Sequence, residues 1–349
     1  MQAWRKRSIK CIALYRKATA CPNNLSDYSL IFTSPEVALS DKFLPQLRRQ
    51  LRQKICLLAF DEAHVIIQWG HPKFRAKYGN LATLLAIVPQ APVLVMTATT
   101  TEKMKRDTMS LLTISSYCTV AASPDRPEIF LDVRRPTADG LDWLVQELLE
   151  KGVNASKTVI YCPTVNSVTK VFELFLHRLR SKLRTPSQNG QNPGLLVDMY
   201  SGAIDEATKP RNLQMFTQQS TLRVLICTVA FGMGIDIPDI RNVILYGLPK
   251  GFCEYWQEVG RACRDKSNGK AVLYTYPVPH QVSVSPELKL AIGTSTETCI
   301  RLTILQKLWL PEMGNLPSKG EMCNKACSFC QCQYCKCCAI CKKKCPCMQ

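Results

Sequence analysis

Two stretches about two hundred residues apart carry the side chains best suited to chemistry on a polyphosphate. In the first, the apolar run Ile55-Cys56-Leu57-Leu58-Ala59-Phe60 leads directly into Asp61-Glu62-Ala63-His64. A continuous apolar run of this length is the pattern of a strand buried in a parallel sheet. Two carboxylates at its end then lie at the carboxyl edge of the sheet, where ligands of such sheets bind. There Asp61 suits Mg²⁺ held through water, and Glu62 suits orienting and polarising the water that attacks a γ-phosphate. In the second stretch, Gln257-Glu258-Val259-Gly260-Arg261-Ala262-Cys263-Arg264-Asp265, Arg261 and Arg264 stand three apart. That spacing puts them on one face of a helix end. Two guanidiniums there suit bidentate contact with a phosphate that gains charge in the transition state.

Three further stretches could serve these two. Thr97-Ala98-Thr99 closes the apolar run Val93-Leu94-Val95-Met96, and its hydroxyls could hydrogen-bond the acidic pair. In Phe231-Gly232-Met233-Gly234-Ile235-Asp236 the glycines allow close backbone approach, and Asp236 could bind a ribose hydroxyl or orient an arginine. In Gln68-Trp69-Gly70-His71 with Phe74-Arg75, Trp69 and Phe74 could stack on bases while Arg75 meets phosphate.

The elements that must position these residues alternate. Apolar strands are expected at 28–36, 55–60 and 93–96, with helical spacing at 41–54, 79–88 and 101–112. After Ser123-Pro124-Asp125-Arg126-Pro127 the alternation restarts. Helices are expected at 139–151, 166–183, 205–219 and 252–263, and strands at 158–162, 195–200, 224–228, 243–246 and 271–276. A helix at about 298–310 precedes the cysteine-rich end. Strands alternating with helices imply doubly wound α/β sheets.

The formal net charge of +18 favours an anionic partner, nucleic acid first. No apolar run reaches the roughly 20 residues that span a bilayer, and the basic start lacks a signal-peptide core, so neither a membrane nor secretion is expected. Of 19 cysteines, 11 fall from Cys299 onward. The earlier ones sit in apolar runs and imply a reducing compartment, so the terminal cluster reads as metal-binding before disulfide-linked.

Together these residues resemble the RecQ family of superfamily 2 DNA helicases, over roughly 28–345. The resemblance rests on Phe32-Thr33-Ser34-Pro35-Glu36, Asp61 to His64, Met96 to Thr99, Asp125-Arg126-Pro127, Ile160-Tyr161-Cys162, Thr228 to Gly234 and Gln257 to Asp265, and most specifically on Gln68 to Tyr78. It implies two RecA-like doubly wound parallel-sheet lobes at 28–122 and 123–280, after a basic segment 1–27. A small Cys-rich zinc-binding helical module is implied at 281–349. The implied cofactors are ATP, Mg²⁺ and Zn²⁺. The implied activity is ATP-dependent 3′–5′ unwinding of DNA, at single strands and duplex junctions, in repair and recombination. The location would be the nucleus in a eukaryote and the cytoplasm otherwise. Asp61, Glu62, Arg261 and Arg264 would be catalytic. The same four with His64, Gly234, Asp236 and Gln257 would hold the nucleotide. Gln68, Trp69, His71, Phe74 and Arg75 would meet DNA. Cys299, Cys323, Cys327 and Cys330 would bind zinc, with Cys332, Cys335, Cys337, Cys338, Cys341, Cys345 and Cys347 as a competing set.

One part of the pattern does not occur. The 349 residues hold no Gly-x-x-x-x-Gly-Lys-Ser/Thr, and the only Gly-Lys pair, Gly269-Lys270, follows the arginine motif. The first lobe is therefore expected to be truncated at its N-terminus, with an incomplete sheet. The alternatives to a working helicase are a non-catalytic DNA-binding remnant or a regulatory protein with a zinc module. Cys263 also stands where the family has glycine between the arginines.

Overall fold

A computed structural model of the chain describes residues 8–14, 22, 24–70, 75–135, 137, 140–184, 194–201, 208–217, 221–228, 236–277, 283–293, 298–317 and 332–348. The sites expected at His71, Phe74, Gly234, Cys323, Cys327 and Cys330 lie outside the described residues. The chain divides into two compact units, Met1–Ala122 with Leu310–Glu312, and Ser123–Trp309 with Met313–Gln349. No helix among the described residues is long and apolar enough to cross a membrane.

In the first unit, β1 (Cys11–Leu14) pairs parallel with β2 (Leu30–Thr33), and β3 (Leu58–Phe60) pairs parallel with β4 (Val93–Val95). The described strands thus form two separate pairs. Helices α1 (Pro35–Ala38), α2 (Phe43–Gln46), α3 (His64–Trp69), α4 (Ala82–Ile87) and α5 (Glu102–Leu111) pack around them. Past α2 the chain continues in a wider π turn at Leu47–Leu51, and Phe43, Leu47 and Leu51 are all buried. Thr101 caps α5 by accepting from the Met104 N–H at 3.2 Å. The strands β3 and β4 are only partly covered: Leu57, Leu94 and Met96 are 48%, 42% and 38% exposed.

The second unit is built on one six-stranded parallel sheet in the order β5-β10-β9-β6-β8-β7. The strands are β5 (Ile129–Arg134), β6 (Thr158–Cys162), β7 (Val197–Tyr200), β8 (Val224–Thr228), β9 (Asn242–Tyr246) and β10 (Gly269–Tyr274). The central β6 is buried at every position, which is what its unbroken apolar run requires. Its helices are α6 (Asp142–Lys151), α7 (Val165–Leu179), α8 (Thr208–Thr217), α9 (Phe252–Val259), α10 (Pro286–Gly293), α11 (Ile300–Leu308), α12 (Gln333–Cys337) and α13 (Ala339–Lys344). In α7, Thr164 caps the start and accepts from the Ser167 N–H, while Val168, Val171, Phe175 and Leu179 bury one face. Four such side chains each contribute about 1.5–3 kcal/mol of burial. Arg180 then adopts φ +49 and ends the helix short of the expected 183. The edge strand β5 is capped by the cysteine-rich end, since the backbone of Cys338 bridges Leu131.

Candidate active site

The turn after β3 is fixed by the backbone of β4. The Met96 N–H donates to the Phe60 carbonyl at 2.8 Å, and the Ala63 N–H donates to the Met96 carbonyl at 2.8 Å. Between those anchors Asp61 is exposed, and Glu62 adopts φ +51. That left-handed conformation costs a non-glycine residue about 1–2 kcal/mol. It is held in part by the Glu62 N–H donating to Asp61 Oδ1 at 2.9 Å.

His64 opens α3 and is buried. Its Nδ1 lies 3.0 Å from Thr97 Oγ1 and 3.3 Å from Glu62 Oε2. The Thr97 hydroxyl itself donates to the Thr99 carbonyl at 2.9 Å. Its lone pair is therefore left to accept from His64, which assigns the imidazole proton to Nδ1. Burial pushes the imidazole down to about 4, against the pull of the Asp61 charge, so the ring is neutral at pH 7. The expected contact of Thr97 with the acidic pair is thus routed through His64. Asp61 remains exposed at the strand end, and an exposed carboxylate there suits a hard cation such as Mg²⁺.

Downstream, Gln68 is exposed and Trp69 is half-buried against the core of the first unit. Trp69 meets Tyr78 edge-on, with centroids 5.7 Å apart. The Arg75 guanidinium lies 4.9 Å from the Trp69 ring and 4.5 Å from the Tyr78 ring, and its Nε donates to Glu36 Oε1 at 2.6 Å. Burial works to raise the Glu36 carboxyl, but hydrogen bonds, that of Arg75 first, bring it below its ordinary value. The Arg75 charge is held by Glu36 and two rings, so a phosphate would meet a guanidinium already oriented by them. The Ser34-Pro35-Glu36 segment and the aromatic segment are joined by this one side chain.

In the second unit, the helix expected to carry both arginines stops at Val259. Turns follow, with Cys263 at φ +54, a conformation no continuing helix has. Arg261 and Arg264 consequently do not share a helical face. Arg264 is exposed and donates from Nη1 to Asp236 Oδ1 at 2.8 Å, so Asp236 orients an arginine. Gln257 is half-buried on α9. Arg261 Nε is buried with no hydrogen-bond partner among the described residues, as is the Tyr161 hydroxyl at the end of β6. A buried guanidinium N–H left unpaired is costly unless an acceptor arrives. Glu258, also buried, is raised well above its ordinary value by desolvation and by Glu254, and Arg261 opposes this. A small open cleft at the ends of β6 and β9 is lined in part by Tyr161, Cys162, Lys250 and Glu258.

Two residues outside the expected sites hold the arginine segment in place. Arg126 donates from Nη1 to the Gly260 carbonyl at 2.8 Å and from Nη2 to the Ala262 and Cys263 carbonyls at 2.8 and 3.0 Å. Arg301 is buried and donates from Nη1 to Asp125 Oδ1 at 2.7 Å and to the Arg126 carbonyl at 2.8 Å. Its Nη2 reaches the carbonyls of Ile129 and Cys337. The motif Asp125-Arg126-Pro127 is a usable sequence signal for Arg126. Arg301 has none, because its partners Asp125 and Arg126 are about 175 residues away.

The cysteine-rich end brings Cys299 together with Cys337, Cys338 and Cys341, whose sulfurs all lie within 4.8 Å of one another. Cys299 Sγ is 3.5 Å from Cys337 Sγ and 4.0 Å from Cys338 Sγ. Four thiolates at about 2.3 Å from a tetrahedral zinc lie about 3.8 Å apart, so this set suits the ion. Hydrogen bonding from Cys337 brings the Cys299 thiol below its ordinary value. Of the four ligands expected, Cys299 is the one within the described residues. Its three partners in this cluster belong to the competing set.

The chain matches the DEAD/DEAH box helicase family over residues 2–107 and the helicase conserved C-terminal domain over residues 140–266. These two matches place it in superfamily 2 of the helicases. It is 32% identical over 265 residues to ATP-dependent DNA helicase Q-like 2 of Arabidopsis thaliana, covering 74% of this chain and 35% of that protein. It is 30% identical over 294 residues to ATP-dependent DNA helicase RecQ of Haemophilus influenzae, covering 79% of this chain and 44% of that protein. Within superfamily 2, the chain belongs with the RecQ-type helicases, and it spans less than half the length of these relatives. Its fold is similar to that of S. cerevisiae Dbp5 bound to RNA and ADP BeF3, with a TM-score of 0.56, 17% identity, and coverage of 77% of this chain and 65% of that one.

Proposed function

We propose that the chain works in an ATP-dependent, RecQ-type DNA helicase that moves 3′ to 5′ and acts on single strands and duplex junctions. The observation that carries this reading is the turn Asp61-Glu62-Ala63-His64, anchored to β4 and linked through neutral His64 to Thr97. Mg²⁺ held at Asp61 would withdraw charge from the γ-phosphate. Glu62 would orient the attacking water and take its proton. Arg261, whose buried Nε has no hydrogen-bond partner among the described residues, and Arg264, oriented by Asp236, would balance charge on the phosphate oxygens. The +18 net charge supports a nucleic-acid track. The RecQ resemblance implies a setting in repair and recombination, in the nucleus of a eukaryote and in the cytoplasm otherwise. Zinc at the cysteine-rich end would be structural.

The test is DNA-stimulated ATP hydrolysis by the purified chain beside Glu62→Gln. Turnover that falls by about 10²-fold or more in the variant supports the reading. Turnover unchanged in Glu62→Gln overturns it. A second reading is favoured by the lack of a phosphate-loop pattern in the 349 residues. It predicts single-stranded DNA binding that weakens with salt, and no hydrolysis.

A further inference from the structure

We propose that the cysteine-rich end holds a second metal ion of the zinc class, at Cys332, Cys335, Cys345 and Cys347. The sulfurs of Cys332, Cys335 and Cys345 all lie within 4.8 Å of one another. Cys332 Sγ is 3.8 Å from Cys345 Sγ. Cys347 brings a fourth sulfur, 3.3 Å from that of Cys335 and 3.5 Å from that of Cys345. These separations of 3.3–3.8 Å lie at or just under the edge of about 3.8 Å that sulfurs have around tetrahedral zinc. They are well beyond the roughly 2.05 Å of a disulfide. Cys347, which is near two of the other three sulfurs but outside their mutual 4.8 Å set, is the ligand that must close in on the ion.

Sequence spacing supports the same grouping. Cys332-x₂-Cys335 opens α12, and Cys345-x-Cys347 follows α13, so two short ligand pairs flank one helical hairpin. Within the first pair the Cys335 N–H donates to Cys332 Sγ at 3.3 Å, which fixes the Cys332 side chain at the helix start. The hairpin between the pairs supplies Cys337, Cys338 and Cys341 to the other tetrad. The two sets therefore use different sulfurs of one folded unit. Four thiolates around a divalent ion leave a charge of about −2, so two such sites leave about −4. Lys336, Lys342, Lys343 and Lys344 lie on the same hairpin and supply +4.

Zinc per chain is measured by elemental mass spectrometry on the full chain purified under reducing conditions. Two zinc ions are expected for the native sequence and one for Cys345→Ser/Cys347→Ser. One zinc or none in the native chain, iron with labile sulfide in its place, or two zinc ions retained by the variant overturns the proposal. Should the variant lose both ions through misfolding, thiol labelling of the zinc-loaded native chain decides. Cys332, Cys335, Cys345 and Cys347 should resist N-ethylmaleimide until a chelator is added. Labelling of these four while both ions stay bound refutes the site.

Discussion

Replacing Arg126 by alanine should loosen the arginine segment without touching Arg261 or Arg264. The guanidinium donates to three backbone carbonyls, of Gly260, Ala262 and Cys263, and pairs with Glu128 Oε1 at 2.5 Å. Hydrogen bonds from a charged donor are worth about 1.5–3 kcal/mol each, so three would total about 4.5–9 kcal/mol if fully shielded from water. The side chain is 26% exposed, so water replaces part of that and neighbouring bonds do not add. A loss of about 2–4 kcal/mol is expected. For a unit of this size, each kcal/mol moves the melting temperature by about 2–4 °C, so the second unit should melt about 4–16 °C lower. Lysine keeps the charge but not the fork, and Arg126→Lys should fall between the native chain and Arg126→Ala. The more local readout is hydrogen exchange. The amides of Gly260, Ala262 and Cys263 are bonded to Trp256, Val259 and Ile240. Their protection should drop in Arg126→Ala, while that of β6 should hold. Unchanged melting with unchanged protection at Gly260 to Arg264 would refute the reasoning.

His64 has a folded value of about 4 against an ordinary 6.5, so the unfolded chain binds the extra proton first. Stability of the first unit should therefore rise with pH between about 4 and 6.5, by at most about 1.4 kcal/mol per pH unit, and be flat above. His64→Gln should flatten that slope in pH-dependent denaturation. At Cys263, where φ is +54, glycine removes strain of about 1–2 kcal/mol that alanine keeps. Thermal melts should thus rank Cys263→Gly above Cys263→Ala. Amides of β3 and β4, whose strands leave Leu57, Leu94 and Met96 exposed, should exchange at least about tenfold faster than those of the fully buried β6. Equal rates would show that this partial exposure does not weaken the first unit.

What is legible in the sequence follows from periodicity. The strand expected at 224–228 coincides with β8 residue for residue, because unbroken apolar runs have one buried solution in a parallel sheet. The carboxylates after β3 fall at a strand end for the same reason. Helix ends are not legible where the backbone turns left-handed without a glycine. Arg180 at φ +49 stops the pattern of α7, and Cys263 at φ +54, four residues past the end of α9 at Val259, keeps the helix from resuming. The second case removes the shared face expected of Arg261 and Arg264. Arg75 defeats a local reading because its partner Glu36 is 39 residues away, and no local pattern says that an arginine will be satisfied by a distant carboxylate. The cysteine end is ambiguous in sequence because ligand choice among 11 thiols depends on a hairpin fold that spacing alone does not fix.

The arginine segment and the cysteine-rich end are joined by two guanidiniums in series. Arg301 stands two residues after Cys299, one of the four sulfurs gathered at the start of α11. Being buried, its charge must be matched, and Asp125 at 2.7 Å matches it; a buried cation that loses such a partner costs about 3–5 kcal/mol. The same guanidinium reaches the Arg126 carbonyl on one side and the Cys337 carbonyl on the other. Arg126 in turn holds three carbonyls of the arginine segment. The Cys338 backbone pairs with Leu131 on the edge strand, so the cysteine hairpin cannot shift without disturbing β5. The four-cysteine cluster therefore does more than close an edge. Its position is transmitted, one hydrogen-bonded arginine at a time, to the turn that carries Arg261; under the catalytic role proposed for Arg261, an error of about 1 Å there would cost about 10²-fold in rate.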